Sequence, residues 1–235
     1  MTDLMYYVDS YLREFDAQVV DSSPAGVVLD RTAFYPGGGG QPCDRGTLEV
    51  GGRTWSVLAV RKEGGRAVLE VEGDPPAEGA RVHARLDWDR RYALMRVHTA
   101  MHVLCGVIWR DYSAHVTGGN MDVLHARMDF EFENMHQDLV REIEVRANRE
   151  VDLAREVRVR LLPREQALAI PDLIRTKVNL LPEGLREIRV VEIVGLDLQA
   201  DGGTHLANTR EVGAIRIVDY KSKGRINKRL AIALE

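Results

Sequence analysis

His98-Thr-Ala-Met-His102 and Asp201-Gly-Gly-Thr-His205 together constrain this chain more than any other feature. On a helix, residues four apart share one face with Cβ atoms about 5–6 Å apart, so His98 and His102 can serve one metal ion. Taken alone, the pair reads equally well as two solvated or core histidines. Thr99 follows His98 where the H-E-x-x-H metalloproteases carry their general base, which sets that chemistry aside. Gly202 and Gly203 permit a tight turn that would bring Asp201 and His205 to a common centre. The turn falls between two apolar stretches, Val190–Val194 and Val212–Val218. Three imidazoles and a carboxylate form a zinc-type donor set, though other first-row metals accept the same donors. Cys105 lies seven residues beyond His98, about 10.5 Å along a helix, and reads as a packing residue. Cys43 is assigned no role.

Six short β-branched segments fill the first third: Glu14–Val20, Gly26–Asp30, Gly46–Val50, Arg53–Val60, Arg66–Val71 and Arg81–Leu86. Gly-Gly, Ser-Pro and Asp-Pro-Pro turn signals separate them, which predicts a small antiparallel barrel. Past Asp87 the pattern changes. Trp88–Arg110 contains Gly106 but no proline and predicts a helix, with Asp87 or Asp89 as its N-cap. A second helix is predicted from Asn134 to about Arg155, supported by Glu/Arg pairs at helical spacing. Val157–Leu161 and Arg186–Val194 read as strands. Gly213–Tyr220 and Arg225–Leu234 read as a hairpin turning at Lys221–Gly224. The expected organisation is α+β: residues 1–87 as a barrel, residues 88–235 as an α/β domain.

Composition narrows the class. Among 235 residues, 45% are hydrophobic and 29% charged, as in ordinary globular proteins. No apolar run approaches the roughly 20 residues that span a bilayer, and Met1–Asp9 lacks the order of a secretion signal. Two cysteines build no disulfide framework, so a cytoplasmic protein is expected, with no membrane association and no obligate protein partner. A net charge of −4 provides no global attraction to nucleic acid, so RNA binding would need a local patch.

Three motifs in order carry a resemblance that covers essentially the whole chain. Phe34-Tyr-Pro-Gly-Gly-Gly-Gly-Gln-Pro42 with Asp44-Arg-Gly46 comes first. Asp87-Trp-Asp-Arg-Arg-Tyr-Ala-Leu-Met-Arg96 leads into His98 and His102. Gly202-Gly-Thr-His205 continues to Asn208-Thr-Arg-Glu-Val-Gly213. This combination resembles the editing domain of alanyl-tRNA synthetases, and most of all the free-standing AlaX trans-editing proteins of medium length. The resemblance implies an N-terminal antiparallel β-barrel followed by an α/β editing domain, with a metal site between a helix and a sheet loop. It implies one Zn2+ ion held by His98, His102 and His205. The family's fourth ligand is usually a cysteine, and here Asp201 takes its position. Asp201 either ligates the ion or leaves a three-histidine site with an open position.

The implied reaction is hydrolysis of the ester joining a wrong amino acid, serine and possibly glycine, to alanine tRNA, the expected partner. An alanine pocket rejects glycine by only about 1–3 kcal/mol, so a second site is needed. Thr117 resembles a family threonine facing the amino acid, and as a bare residue it reads equally as a strand-end threonine before a Gly-Gly turn. Gln199 and Thr204 flank the metal loop as further candidates. The attacking water is either bound to zinc or activated by the ribose hydroxyl. The glycine-rich loop Pro36–Gln41 lacks G-K-[ST] and is no phosphate loop. Arg90, Arg91 and Arg96, with Lys221, Lys223, Arg225, Lys228 and Arg229, are the candidate RNA contacts. Two other readings stay open: a non-catalytic, zinc-stabilised RNA-binding module, and a metallohydrolase acting on a small ester.

Overall fold

Alternation of buried and exposed side chains closes the first strands on themselves. The structure, a computed structural model, describes residues 2–176, 181 and 184–235. Its first strands are β1 (Asp3–Leu4), β2 (Glu14–Ser23), β3 (Gly26–Leu29), β4 (Arg31–Thr32), β5 (Gly46–Val50), β6 (Arg53–Glu63), β7 (Arg66–Val71) and β8 (Arg81–Leu86). Strands β2-β3-β7-β6-β5-β8 form a closed barrel in that order, and β1 pairs with β4 alongside. On β2, Phe15, Ala17 and Val19 point inward while Glu14, Asp16 and Gln18 face solvent. Val27, Leu29, Phe34, Leu48 and Leu69 fill the interior. Closure leaves no barrel strand with unpaired edge groups. All six predicted segments are barrel strands. The two-residue strands β1 and β4 are too short to leave a periodic signal.

The chain divides into two compact units, Met1–Ala93 and Leu94–Glu235. Helix α1 (Trp88–Tyr112) starts in the first and continues into the second. Asp87 supplies its cap, accepting the Arg90 N–H at 3.2 Å. Within the second unit the helix is apolar almost all round: Leu94, Val97, Ala100, Val103, Leu104, Val107 and Ile108 are fully buried. Such a helix lies inside its unit rather than on the surface.

The second unit continues with β9 (Val116–Asp122), β10 (His125–Glu131), α2 (Gln137–Asp152), β11 (Val157–Pro163), α3 (Arg164–Leu168), β12 (Glu187–Ile193), β13 (Asp197–Ala200), β14 (Ile215–Ser222) and β15 (Asn227–Leu234). Two antiparallel sheets result, ordered β14-β15-β10-β9 and β11-β12-β13. Asn148 of α2 both donates to and accepts from the Ile215 backbone, tying that helix to strand β14. The second helix is shorter than predicted. His136 caps its start by accepting the Leu139 N–H, and Ala154, at φ 50°, turns the chain away just past its end. Strands β9, β10 and β13 were not anticipated. β13 matters most, because it ends directly against Asp201.

Candidate metal centre

A buried helix and a strand end bring the four predicted donors together. His98 and His102 lie one turn apart on α1, while Asp201 and His205 follow β13. One donor atom from each of the four lies within 4.8 Å of all the others. Asp201 Oδ2 is 3.4 Å from His98 Nε2 and 3.9 Å from His102 Nε2. Asp201 Oδ1 is 3.2 Å from His205 Nε2 and also accepts the Gly203 N–H at 2.6 Å. That turn fixes the carboxylate's orientation, as the Gly-Gly segment predicts. The imidazoles are buried, and Asp201 keeps 19% side-chain exposure, so the cluster meets solvent on its carboxylate side.

Hydrogen bonds behind the cluster orient two of its rings. His102 Nδ1 lies 3.0 Å from Asp197 Oδ2. His205 Nδ1 lies 3.4 Å from the Thr99 hydroxyl, which also accepts the Leu206 N–H. In both rings Nε2 is thereby left for the centre. Cys105 is buried beside the group without joining it, and burial first, then the Asp197 charge, pushes its thiol well above the usual range.

The donor set fits a divalent ion on electrostatic grounds too. Burial opposes the Asp201 charge, yet the surrounding imidazoles, His98 foremost, hold its carboxyl well below the ordinary range. Burial, with the neighbouring His98 charge, drives His205 well below the usual imidazole range, so its ring is neutral and able to ligate. His102 behaves oppositely. Burial pulls it down, but hydrogen bonds to Asp197 and Asp201 outweigh this and lift it from 6.5 to about 9. A metal must displace that proton. Apparent affinity for a divalent ion is therefore expected to fall by up to about tenfold per pH unit below pH 9 and to level off above it. Chelator competition across this range checks the slope, and a flat profile between pH 7 and 9 would contradict it.

The other predicted site residues are placed less uniformly. Thr117 is exposed on β9, where Phe130 pairs with Val116 and Asp129 with Gly118, leaving Thr117 as the extra residue of a β-bulge. Its hydroxyl donates to Asn227 at 2.8 Å. Two residues on, a Cβ at Gly119 would lie 3.2 Å from the Met101 methyl, so β9 rests on the stretch of α1 between the two histidines. Gln199 Nε2 donates to Asp197 Oδ2 at 2.7 Å, and Thr204 is fully buried. Asp197 was missed by the sequence reading; its place in a four-residue strand gave no periodicity to follow.

Two of the candidate RNA contacts require correction. Arg91 is fully buried: its guanidinium holds Asp44 and donates to the Ser10 and Ala33 carbonyls, leaving it no surface to offer. Lys228 falls on the inward phase of β15 with Leu230, Ile232 and Leu234, and its ammonium donates to the Gly224 and Arg225 carbonyls within its own turn. Arg90 donates to the Cys43 carbonyl, Arg96 to the Val212 carbonyl, and Arg229 to Asp129. Lys221, paired with Asp219, and Lys223 and Arg225 are exposed.

Comparison with known proteins shows what the chain is similar to. Residues 6–90 match the family of class II (A) tRNA synthetases, and residues 188–231 match the threonyl and alanyl tRNA synthetase second additional domain. The chain is 37% identical to the alanyl-tRNA editing protein AlaX-M of Methanosarcina barkeri, with 100% of this chain and 99% of that one aligned. It is 38% identical to AlaX-M of Saccharolobus solfataricus over 98% of each chain. It is also 41% identical to the alanine–tRNA ligase of Pyrobaculum neutrophilum, over 91% of this chain and 25% of that enzyme.

Proposed function

The chain belongs to the family of AlaX-type alanyl-tRNA editing proteins, and from that premise we propose that it hydrolyses the ester of mischarged alanine tRNA at the centre built by His98, His102, Asp201 and His205. The observation that carries this reading is the convergence of those four donors. In the proposed division of labour, residues 1–87 form the barrel module and residues 88–235 the editing module. The preferred substrate is seryl-charged alanine tRNA, with glycyl as the second, and the ion is zinc.

The reaction is a balanced hydrolysis. Water oxygen bonds to the ester carbonyl carbon, the bond to the terminal ribose oxygen breaks, that oxygen takes up a proton, and the free amino acid leaves. When bound, a zinc ion supplies Lewis acidity to the carbonyl or to the water. The chain's own residues do the positioning. Asp201, pinned by the Gly203 N–H, sits at the exposed side of the cluster, where a tRNA end can reach it. Thr117 is assigned to the amino-acid side chain. A bulge re-aims a side chain out of the ladder, and a hydroxyl there can pair with the serine hydroxyl. Alanine offers no hydroxyl to donate to the Thr117 oxygen, whose own proton is taken by Asn227, which makes the discrimination polar rather than steric. Among described residues, no cysteine joins the four-donor cluster.

For RNA contact the exposed trio Lys221, Lys223 and Arg225 is assigned to phosphates. Replacing all three with alanine should weaken tRNA binding and reduce the slope of log affinity against log salt by roughly 2 to 3. An unchanged slope in a folded variant removes the assignment. The function itself is tested by following release of the amino acid from mischarged alanine tRNA by the full-length protein.

A further inference from the structure

Asp197 is a buried carboxylate that the proposed reaction leaves without a task. One oxygen, Oδ2, meets His102 Nδ1 at 3.0 Å and Gln199 Nε2 at 2.7 Å. The other lies 3.7 Å from Arg175 Nε, and Arg175 stacks its guanidinium over Trp109 at 4.7 Å. Burying a carboxylate is costly unless it is paired, so a chain that places one here uses it.

How it arrives is visible in the backbone. Gly106 sits four residues after His102 on α1, one turn further along the same face. A Cβ at Gly106 would lie 2.8 Å from Leu196 Cγ and 3.0 Å from Asp197 Cβ. The missing side chain is what lets the turn before β13 come close enough for its carboxylate to reach the ring of His102.

We infer that Asp197 is a positioning residue for the metal centre: delivered against α1 over Gly106 and held by Gln199, it accepts the His102 Nδ1–H and fixes the tautomer whose Nε2 faces Asp201 and His205. The inference rests on the metal-centre reading above. An ionised carboxylate only accepts, so the ring must place its proton on Nδ1. A ring so held is fixed in orientation and is a more basic ligand. Gln199 therefore acts from behind the centre, through Asp197.

Zinc itself is the probe. Chelator competition on the full-length protein compares wild type, Asp197→Asn and His102→Ala. Asp197→Asn keeps the size of the side chain and removes the charge. It is expected to weaken zinc binding by about 10- to 100-fold with an unchanged circular dichroism spectrum. If His102→Ala loses zinc while Asp197→Asn binds within twofold of wild type, the inference is overturned and the metal reading stands. If His102→Ala binds zinc as wild type does, the metal reading falls and the inference falls with it. A second measurement needs no variant. Nitrogen-15 NMR of the zinc-loaded wild type should place the His102 proton on Nδ1 and the metal on Nε2, and the reverse assignment overturns the inference even if Asp197→Asn fails to fold.

Discussion

Protein carrying His205→Ala is expected to release the amino acid from mischarged alanine tRNA roughly a thousandfold more slowly than wild type. The ion's electrostatic contribution to the transition state is several kcal/mol, and about 4 kcal/mol corresponds to that factor. His205 has no redundancy. Its Nε2 faces Asp201, its Nδ1 is engaged with Thr99, and burial holds its imidazole well below the usual range. The fold should survive its loss. Val97, Ala100, Leu104 and Ile108 bury α1 without help from the cluster, so the circular dichroism spectrum should be retained both in the variant and after chelation of the wild type. A purely structural metal would behave otherwise, its removal costing the fold along with the activity. Retention of more than a tenth of the wild-type rate would contradict the assignment of His205.

Arg91→Met should be the most damaging single change in the first unit, at about 3–5 kcal/mol, because it strands a buried carboxylate. Arg91 Nε lies 3.0 and 3.1 Å from the two Asp44 oxygens, and its Nη1 donates to the Ser10 carbonyl at 2.9 Å. Asp44 also accepts the Tyr35 N–H at 2.6 Å. One guanidinium thus fastens the start of α1 to the chain on both sides of the glycine-rich loop. Urea denaturation gives the loss directly. Adding Asp44→Asn to Arg91→Met should recover part of it, since no charge is then left buried. A loss below about 1 kcal/mol for Arg91→Met would show that the pair is solvated rather than interior.

The barrel was legible because its strands alternate cleanly. Phe15, Ala17 and Val19 recur at every second position, and Asp-Pro-Pro and Gly-Gly mark the turns. The convergence of His98, His102, Asp201 and His205 was legible because these donors are concentrated in two short segments. What escaped is equally specific. Strand β9 reads Val-Thr-Gly-Gly-Asn-Met-Asp, and its glycines imitate a turn although they lie inside the ladder. Strand β13 has four residues, too few for any period to emerge, so the reach of Asp197 to His102 was hidden in the connection. Arg91 and Lys228 were read by charge when phase was the better guide. Arg91 precedes Leu94 and Met95 at helical spacing, and Lys228 alternates with Leu230 and Ile232. A cation on an apolar stripe is placed by the stripe, and its charge is then met inside.

The most direct test of the account follows amino-acid release from alanine tRNA charged with serine and, in parallel, with alanine, by zinc-loaded full-length protein. The account predicts rapid loss of serine, sparing of alanine, and loss of that discrimination when Thr117 is replaced by Val. Hydrolysis of neither substrate by folded, metal-loaded protein would contradict it and leave the four-ligand centre as a structural element of an RNA-binding module.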